Sequence, residues 1–449
     1  MQTKAGIQPG NVHSILKKHI LTDGFDMVLD LEKSKGLYLH DSKSGSKYLD
    51  FFTFFASNPL GMNHPQLADD PDFVARIGKA AINKPSNSDV YTEEMAEFVE
   101  TFSRVGIPDY MPYAFFVSGG ALAVENALKV AFDWKVQKNF RKGYRTEKGH
   151  KVLHFEKAFH GRSGYTLSVT NTEPNKVKYF PKFDWPRVIS PSTTFPETPD
   201  SKKATALLED QAIAQAEKYF EIYKDDIACI LIEPIQGEGG DNHFTMRFHQ
   251  ALRDMADKHE ALLIFDEVQT GVGLTGKFWA HQHYVKPDIL AFGKKAQVCG
   301  ILANTRVDDI ETNCFHTSSR INSTWGGNLV DMVRFSRILQ VIESDKLVEN
   351  AASTGSYLQE RLIDLADRHE HFTNPRGKGL LCAIDLPETH ARNAVIKDCF
   401  ENKMIILGCG TRTIRFRPPL TVQNQHIDEA IDTLEKSYLS AIKRCPVIK

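Results

Sequence analysis

Four short apolar runs limit what this chain can fold into. They are residues 114–117 (AFFV), 227–232 (IACILI), 261–265 (ALLIF) and 289–292 (ILAF). Runs of four to six residues are too short for buried helices, and with no polar alternation they do not fit strands with one wet face. They read as strands of a sheet covered on both sides. The segments between them carry helical patterns. In 123–136, Val124, Leu128 and Ala131 share a face and Glu125 stands four residues before Lys129; 211–223 and 245–259 are also helical. Strand and helix in alternation predict an α/β fold, a mainly parallel sheet with helices on both faces. Ligands of such sheets bind at the carboxyl ends of the strands.

Polar groups gather where these runs end. Residues 114–117 lead into Ser118-Gly119-Gly120, 227–232 into EPIQGEGG, 261–265 into Asp266-Glu267 and 289–292 into Gly293-Lys294-Lys295. A glycine-rich turn between a strand and a helix aims backbone N–H groups at an anion. A carboxylate and an amine at two strand ends suit pyridoxal phosphate (PLP), which needs a lysine to bond its aldehyde and an acid beside its pyridine nitrogen. A lysine held against apolar surface has a lowered pKa, as that bond requires. Gly271 to Gly276 matches GxGxxG, but residues 267–270 separate it from the strand and no clear helix follows, so it is set aside as a nucleotide loop.

The 449 residues suffice for two or three domains. Strands are expected at 37–41 and 47–51, before the turn-rich 58–65, and Thr92 is expected to cap a helix. Residues 174–199, rich in proline and aromatics, read as an irregular excursion or an active-site wall. Helices follow at 329–345 and 347–368, then a strand at 379–385, a helix at 391–401, strands at 404–407 and 413–416, and a helix at 427–443. We therefore expect a large domain from 66–335 and a smaller α+β domain built from 1–65 and 336–449.

A net charge of -2 argues against nucleic acid, and no apolar run approaches the roughly 20 residues of a membrane span. The first 21 residues lack a signal-peptide core. Seven scattered cysteines, at 229, 299, 314, 382, 399, 409 and 445, form no CxxC pair. Neither a disulfide framework nor a metal site is indicated, and a reducing cytoplasm is the expected location.

FDEVQTGVGLTGKFWA followed by KPDILAFGKK, with AFHGR, VENALK and NSTWGGN in the same order, resembles the class III PLP-dependent aminotransferases of fold type I over nearly the whole chain. The resemblance implies that Lys295, before the small Ala296, bonds the cofactor and moves the proton, with Lys294 the alternative. It implies Asp266 at the pyridine nitrogen, Gln269 near the phenolic oxygen, Phe159 on the ring face, and Gly119, Gly120 and Ala121 at the phosphate. Many members carry a hydroxyl residue where this chain has Ala121. Thr324 corresponds to a phosphate ligand that reaches across from the second subunit, which implies a homodimer.

VLDLEKSKGLYLHD, QGEGGD, FGKKAQVCG and IRFRPPL resemble the members that pass the terminal amino group of L-lysine to 2-oxoglutarate. Arg162 would then hold the donor's carboxylate, while Glu238 masks Arg415 for the donor and releases it for the acceptor. Relatives acting on ornithine, acetylornithine or 4-aminobutyrate are the near alternatives, and a PLP racemase or mutase of the same fold a more distant one.

Overall fold

The computed structural model describes residues 6–444; Cys445 lies outside them. Seven strands form the main sheet. In spatial order they are Tyr113–Val117, Cys299–Ala303, Ile289–Phe292, Leu262–Asp266, Ile227–Ile232, Lys151–Phe155 and Arg187–Val188. Cys299–Ala303 runs antiparallel to both of its neighbours, and the remaining pairs are parallel. This is the expected mainly parallel sheet.

The apolar runs are uninterrupted because both faces are covered. Leu231, Ile264 and Ala291 pack with Val124, Leu128 and Ala131 of the helix Gly120–Arg141. Their neighbours Ile230, Leu263 and Phe265 face the other way, against Phe248 and Leu252 of the helix Met246–Lys258. Successive side chains alternate across a strand, so each run feeds two cores at once. Each large side chain so buried contributes about 1.5–3 kcal/mol. Thr245 and Thr92 cap their helices by accepting from the backbone N–H of Phe248 and Met95.

The two ends of the chain fold together. Tyr38–His40, Lys47–Asp50 and Met404–Ile405 share a three-stranded sheet, in which Met404 pairs with Leu49. A four-stranded antiparallel sheet holds Thr373–Lys378, Leu381–Asp385, Thr413–Phe416 and Leu407–Cys409 in that order. The helix Leu347–Arg368 occupies the expected span.

Several elements were hidden in the sequence, among them the strands Arg187–Val188 and Cys299–Ala303 of the main sheet. Thr373–Lys378 contains Pro375 and Gly377, which argue against a strand; it is nevertheless an edge strand, with its register shifted between Thr373 and Arg376. The helix expected at 211–223 begins already at Pro199, capped by Thr198, so the irregular excursion ends one residue before it. Among the described residues no helix is long and apolar enough to cross a membrane.

Candidate active site

The carboxyl ends of the central strands surround a cavity of about 310 Å3. Asp266, the last residue of its strand, forms part of the lining and is 5% exposed. Its Oδ1 accepts from the Val268 backbone N–H (3.0 Å), and its Oδ2 lies 2.8 Å from His160 Nδ1. His160 is in turn held by its own N–H, which donates to Thr170 Oγ1 at 2.9 Å. A buried carboxylate fixed on both oxygens is suited to face a protonated ring nitrogen. Phe159, Val268 and Gln269 add further surface to the same cavity.

The two lysines diverge. Lys294 has a left-handed backbone (φ 50°) and lines the cavity together with Asp266. Burial, reinforced by the positive charges of Arg415 and Arg417, lowers its amine from the ordinary 10.5 to about 8. Lys295 does not line the cavity. Its Nζ donates to the backbone carbonyls of Gln269 (2.7 Å) and Ala56 (3.3 Å). The geometry favours Lys294, the alternative, over Lys295: neighbouring side chains in the turn Lys294–Ala296 leave in different directions, and of the two lysines Lys294 lines the cavity.

Lys295 has a different task. Thr53, Phe54, Phe55 and Ala56 all have positive φ, a left-handed turn that costs L-residues roughly 1–2 kcal/mol each. The turn is tied down at both ends. Asp50 Oδ1 accepts from the N–H groups of Phe52 and Thr53, Thr53 Oγ1 donates to the Arg417 carbonyl, and Lys295 takes the Ala56 carbonyl. Burial pushes the Asp50 carboxyl up to about 6.

At the other side of the cavity the helix Gly120–Arg141 begins. Its N-cap is Gly119 (φ 115°), which has no side chain to satisfy the first N–H groups. Gly120 and Ala121 line the cavity, and Gly119 lines an adjoining open groove that Lys294 also borders. An uncapped N-terminus of a long helix attracts an anion. Ala121 packs so closely on Gly161 that a Cβ on Gly161, whose φ is 113°, would come within 2.5 Å of the Ala121 methyl.

Charged groups close the rim. Glu238 lines the cavity and pairs with Arg415 through Oε2 (2.9 Å) and with Lys176 through Oε1 (2.6 Å). Burial opposes its charge, but Arg415 and Lys176 together hold the carboxyl below its usual range. Arg417 donates to Gln269 Oε1 (2.9 Å) and to Asp241 Oδ1 (2.5 Å). Glu233, which accepts from the N–H groups of Phe159 and Gly237, is pushed up to about 7 by burial. Arg162 is exposed beside Gly161 and does not line the cavity, and Thr324 is likewise exposed on this chain. His160, Glu233 and Lys176 escaped sequence reasoning as functional residues. His160 and Glu233 stand among the polar residues that follow strands, which is the one signal that marks them.

The glycines of GxGxxG serve a turn. Gly276 donates to the Gly273 carbonyl, and no helix begins there. Glu267 organises the loop by accepting from the N–H groups of Ala280 (2.6 Å) and His281 (2.8 Å).

The family model for aminotransferase class-III matches residues 22–438. The chain belongs to the class-III aminotransferases. The L-lysine-epsilon aminotransferase of Amycolatopsis lactamdurans is 51% identical over 439 residues, covering 97% of each chain. That of Mycobacterium tuberculosis is 54% identical over 425 residues, 94% of each. The solved structure of the M. tuberculosis lysine aminotransferase in the internal aldimine form superposes with a TM-score of 0.94 at 52% identity, covering 98% of this chain and all of that one. As a class-III aminotransferase of fold type I, this enzyme uses PLP. The cavity fits that cofactor: an uncapped helix N-terminus for its phosphate, a fixed buried carboxylate for its nitrogen, and an amine of lowered pKa for its aldehyde.

Proposed function

We propose that the enzyme transfers the terminal amino group of L-lysine to 2-oxoglutarate, giving 2-aminoadipate 6-semialdehyde and L-glutamate, a step of lysine breakdown. The observation that carries this reading is the cavity lined by Lys294, Asp266 and Glu238, the last paired with Arg415, in a chain about half identical to L-lysine-epsilon aminotransferases. PLP, when bound, supplies a carbonyl that takes up amines and a ring that spreads the electrons of a broken C–H bond.

The protein does the rest. Lys294 would hold the cofactor through its amine, and its Nζ would carry the proton removed from the donor's ε-carbon. Asp266, oriented by His160, would keep the pyridine nitrogen protonated. Gly119, Gly120 and Ala121 would hold the phosphate, Phe159 would cover the ring, and Gln269, held by Arg417, would meet the phenolic oxygen. Arg162, exposed beside Gly161, would take the donor's carboxylate. Glu238 neutralises Arg415 while the singly carboxylated donor is bound and releases it to the second carboxylate of 2-oxoglutarate; a bare buried charge would oppose one of the two substrates.

Its working form is a cytoplasmic homodimer in which Thr324 completes the partner's phosphate site. Support comes from the exposure of Thr324 and from the open, largely apolar groove of about 710 Å3 beside Lys294, lined by Phe54, Met62, Leu67 and Phe73. The six described cysteines are all buried and unpaired, as suits a reducing compartment.

Turnover of L-lysine, L-ornithine and 4-aminobutyrate with 2-oxoglutarate tests the choice of donor. Lysine is expected to lead by at least about tenfold, since a methylene is worth about 1–3 kcal/mol in a pocket. Absence of lysine turnover overturns the reading, and conversion of an amino acid without any 2-oxo acid would favour a racemase or mutase. The lowered pKa of Lys294 has a consequence of its own. From 10.5 to about 8, the neutral amine at pH 7 is enriched by roughly 300-fold. In cofactor-free enzyme, covalent capture of added PLP should accelerate as pH rises and level off above about 8. A rise that continues toward 10.5 contradicts the lowered value.

A further inference from the structure

Glu238 is held by two cations, one on each oxygen. Arg415 uses Oε2 and Lys176 uses Oε1. Arg415 is almost wholly buried, whereas Lys176 projects from the short turn Pro174–Lys176 in the irregular excursion. The Lys176 ammonium also meets Glu173 Oε1 at 3.0 Å and lies 5.5 Å from the centre of the Phe159 ring. A residue of the excursion thus reaches the wall of the cavity.

The proposed exchange of donor and acceptor requires Glu238 to leave Arg415. A carboxylate leaving its only cation in a largely buried place is strongly penalised. Lys176 removes that obstacle, because it already holds the oxygen that Arg415 does not use. Arg392, the other nearby guanidinium, is committed elsewhere: its Nη1 donates to the carbonyls of Cys409 and Gly410 and its Nε to Asn393.

We propose that Lys176 is a specificity-determining residue that retains the Glu238 carboxylate when Arg415 is released to a dicarboxylate acceptor. This rests on the two-substrate reading given above. With Lys176 removed, Glu238 has Arg415 as its one partner. The donor then finds the pair closed as before, and the acceptor must break it without compensation.

The test compares wild-type holoenzyme with Lys176→Met and the charge-conserving Lys176→Arg. Single-turnover kinetics follow the lysine and 2-oxoglutarate half-reactions separately. In parallel, binding of the unreactive dicarboxylate glutarate is compared with that of the monocarboxylate valerate. In Lys176→Met the dicarboxylate should lose roughly 10- to 100-fold in affinity relative to the monocarboxylate, the range of one charge-assisted hydrogen bond. The lysine half-reaction should change by less than about threefold, and Lys176→Arg should restore most of the loss.

Direct contact between Lys176 and the acceptor is a separate possibility that a double variant resolves. In a Glu238→Gln background no charge has to be retained, so Lys176→Met should cost nothing further. A further loss of glutarate binding there overturns the proposal, as does an equal loss in both half-reactions or no loss in either. If wild-type enzyme ignored L-lysine while Lys176 still set the preference for glutarate, the donor assignment would fall and this role would stand. If lysine turned over normally and Lys176→Met left that preference intact, only this role would fall.

Discussion

Lys294→Ala is expected to remove the covalent link to PLP and to slow lysine transamination by roughly 10^4-fold, the upper range for loss of a general base. Lys295→Ala should leave the link in place. The reason is where the two amines stand: Lys294 faces Asp266 across the cavity, and Lys295 is bonded to the carbonyls of Gln269 and Ala56. Removing Lys295 leaves two carbonyls without a donor and loosens the left-handed turn at Thr53, so a loss of about 1–3 kcal/mol in stability is expected. Borohydride reduction of the holoenzyme followed by peptide mass spectrometry reads the attachment site directly, and thermal unfolding reads the stability. A cofactor found on Lys295 would return the role to that residue.

Asp266→Asn is expected to lower kcat by roughly 10^2- to 10^3-fold with a much smaller change in KM. The carboxylate matters most when the electrons of the broken C–H bond are drawn toward the ring, after the substrate has bound. Asparagine keeps the shape of the side chain and the bond from the Val268 N–H, so the fold should survive. Proton removal should become more rate-limiting, which a larger isotope effect with ε-deuterated lysine would report. A change confined to KM would mean that Asp266 contributes to binding rather than to the reaction.

The fold was largely readable because the apolar runs sit at the centre of a sheet buried on both faces, where no other element type satisfies both the run length and the burial. The edge strand Thr373–Lys378 was not readable, since its one free side tolerates Pro375. Within the site, Asp266 was legible only as one of a converging set, since most acids after an apolar run cap a turn or helix; the glycine-rich turns and lysines at the neighbouring strand ends singled it out. Lys294 and Lys295 were legible only as a pair. Both follow the same strand, Lys295 buried and Lys294 half-buried, and the chemistry of their side chains is identical.

What separates them is the turn. A strand's alternation ends at Phe292, Gly293 is extended and Lys294 is left-handed, so periodicity no longer tells which side chain enters the cavity. Lys176 illustrates the same limit at greater range: it stands 62 residues from Glu238 in an irregular segment, and no spacing rule connects them. The amino-acid sequence by itself determined the sheet, the strand ends on which chemistry gathers, and the acid that faces the cavity, because those follow from local patterns of burial. Only the tertiary structure decided which lysine meets that acid and which cations share Glu238, because these depend on the direction of side chains at turns and on contacts between distant segments.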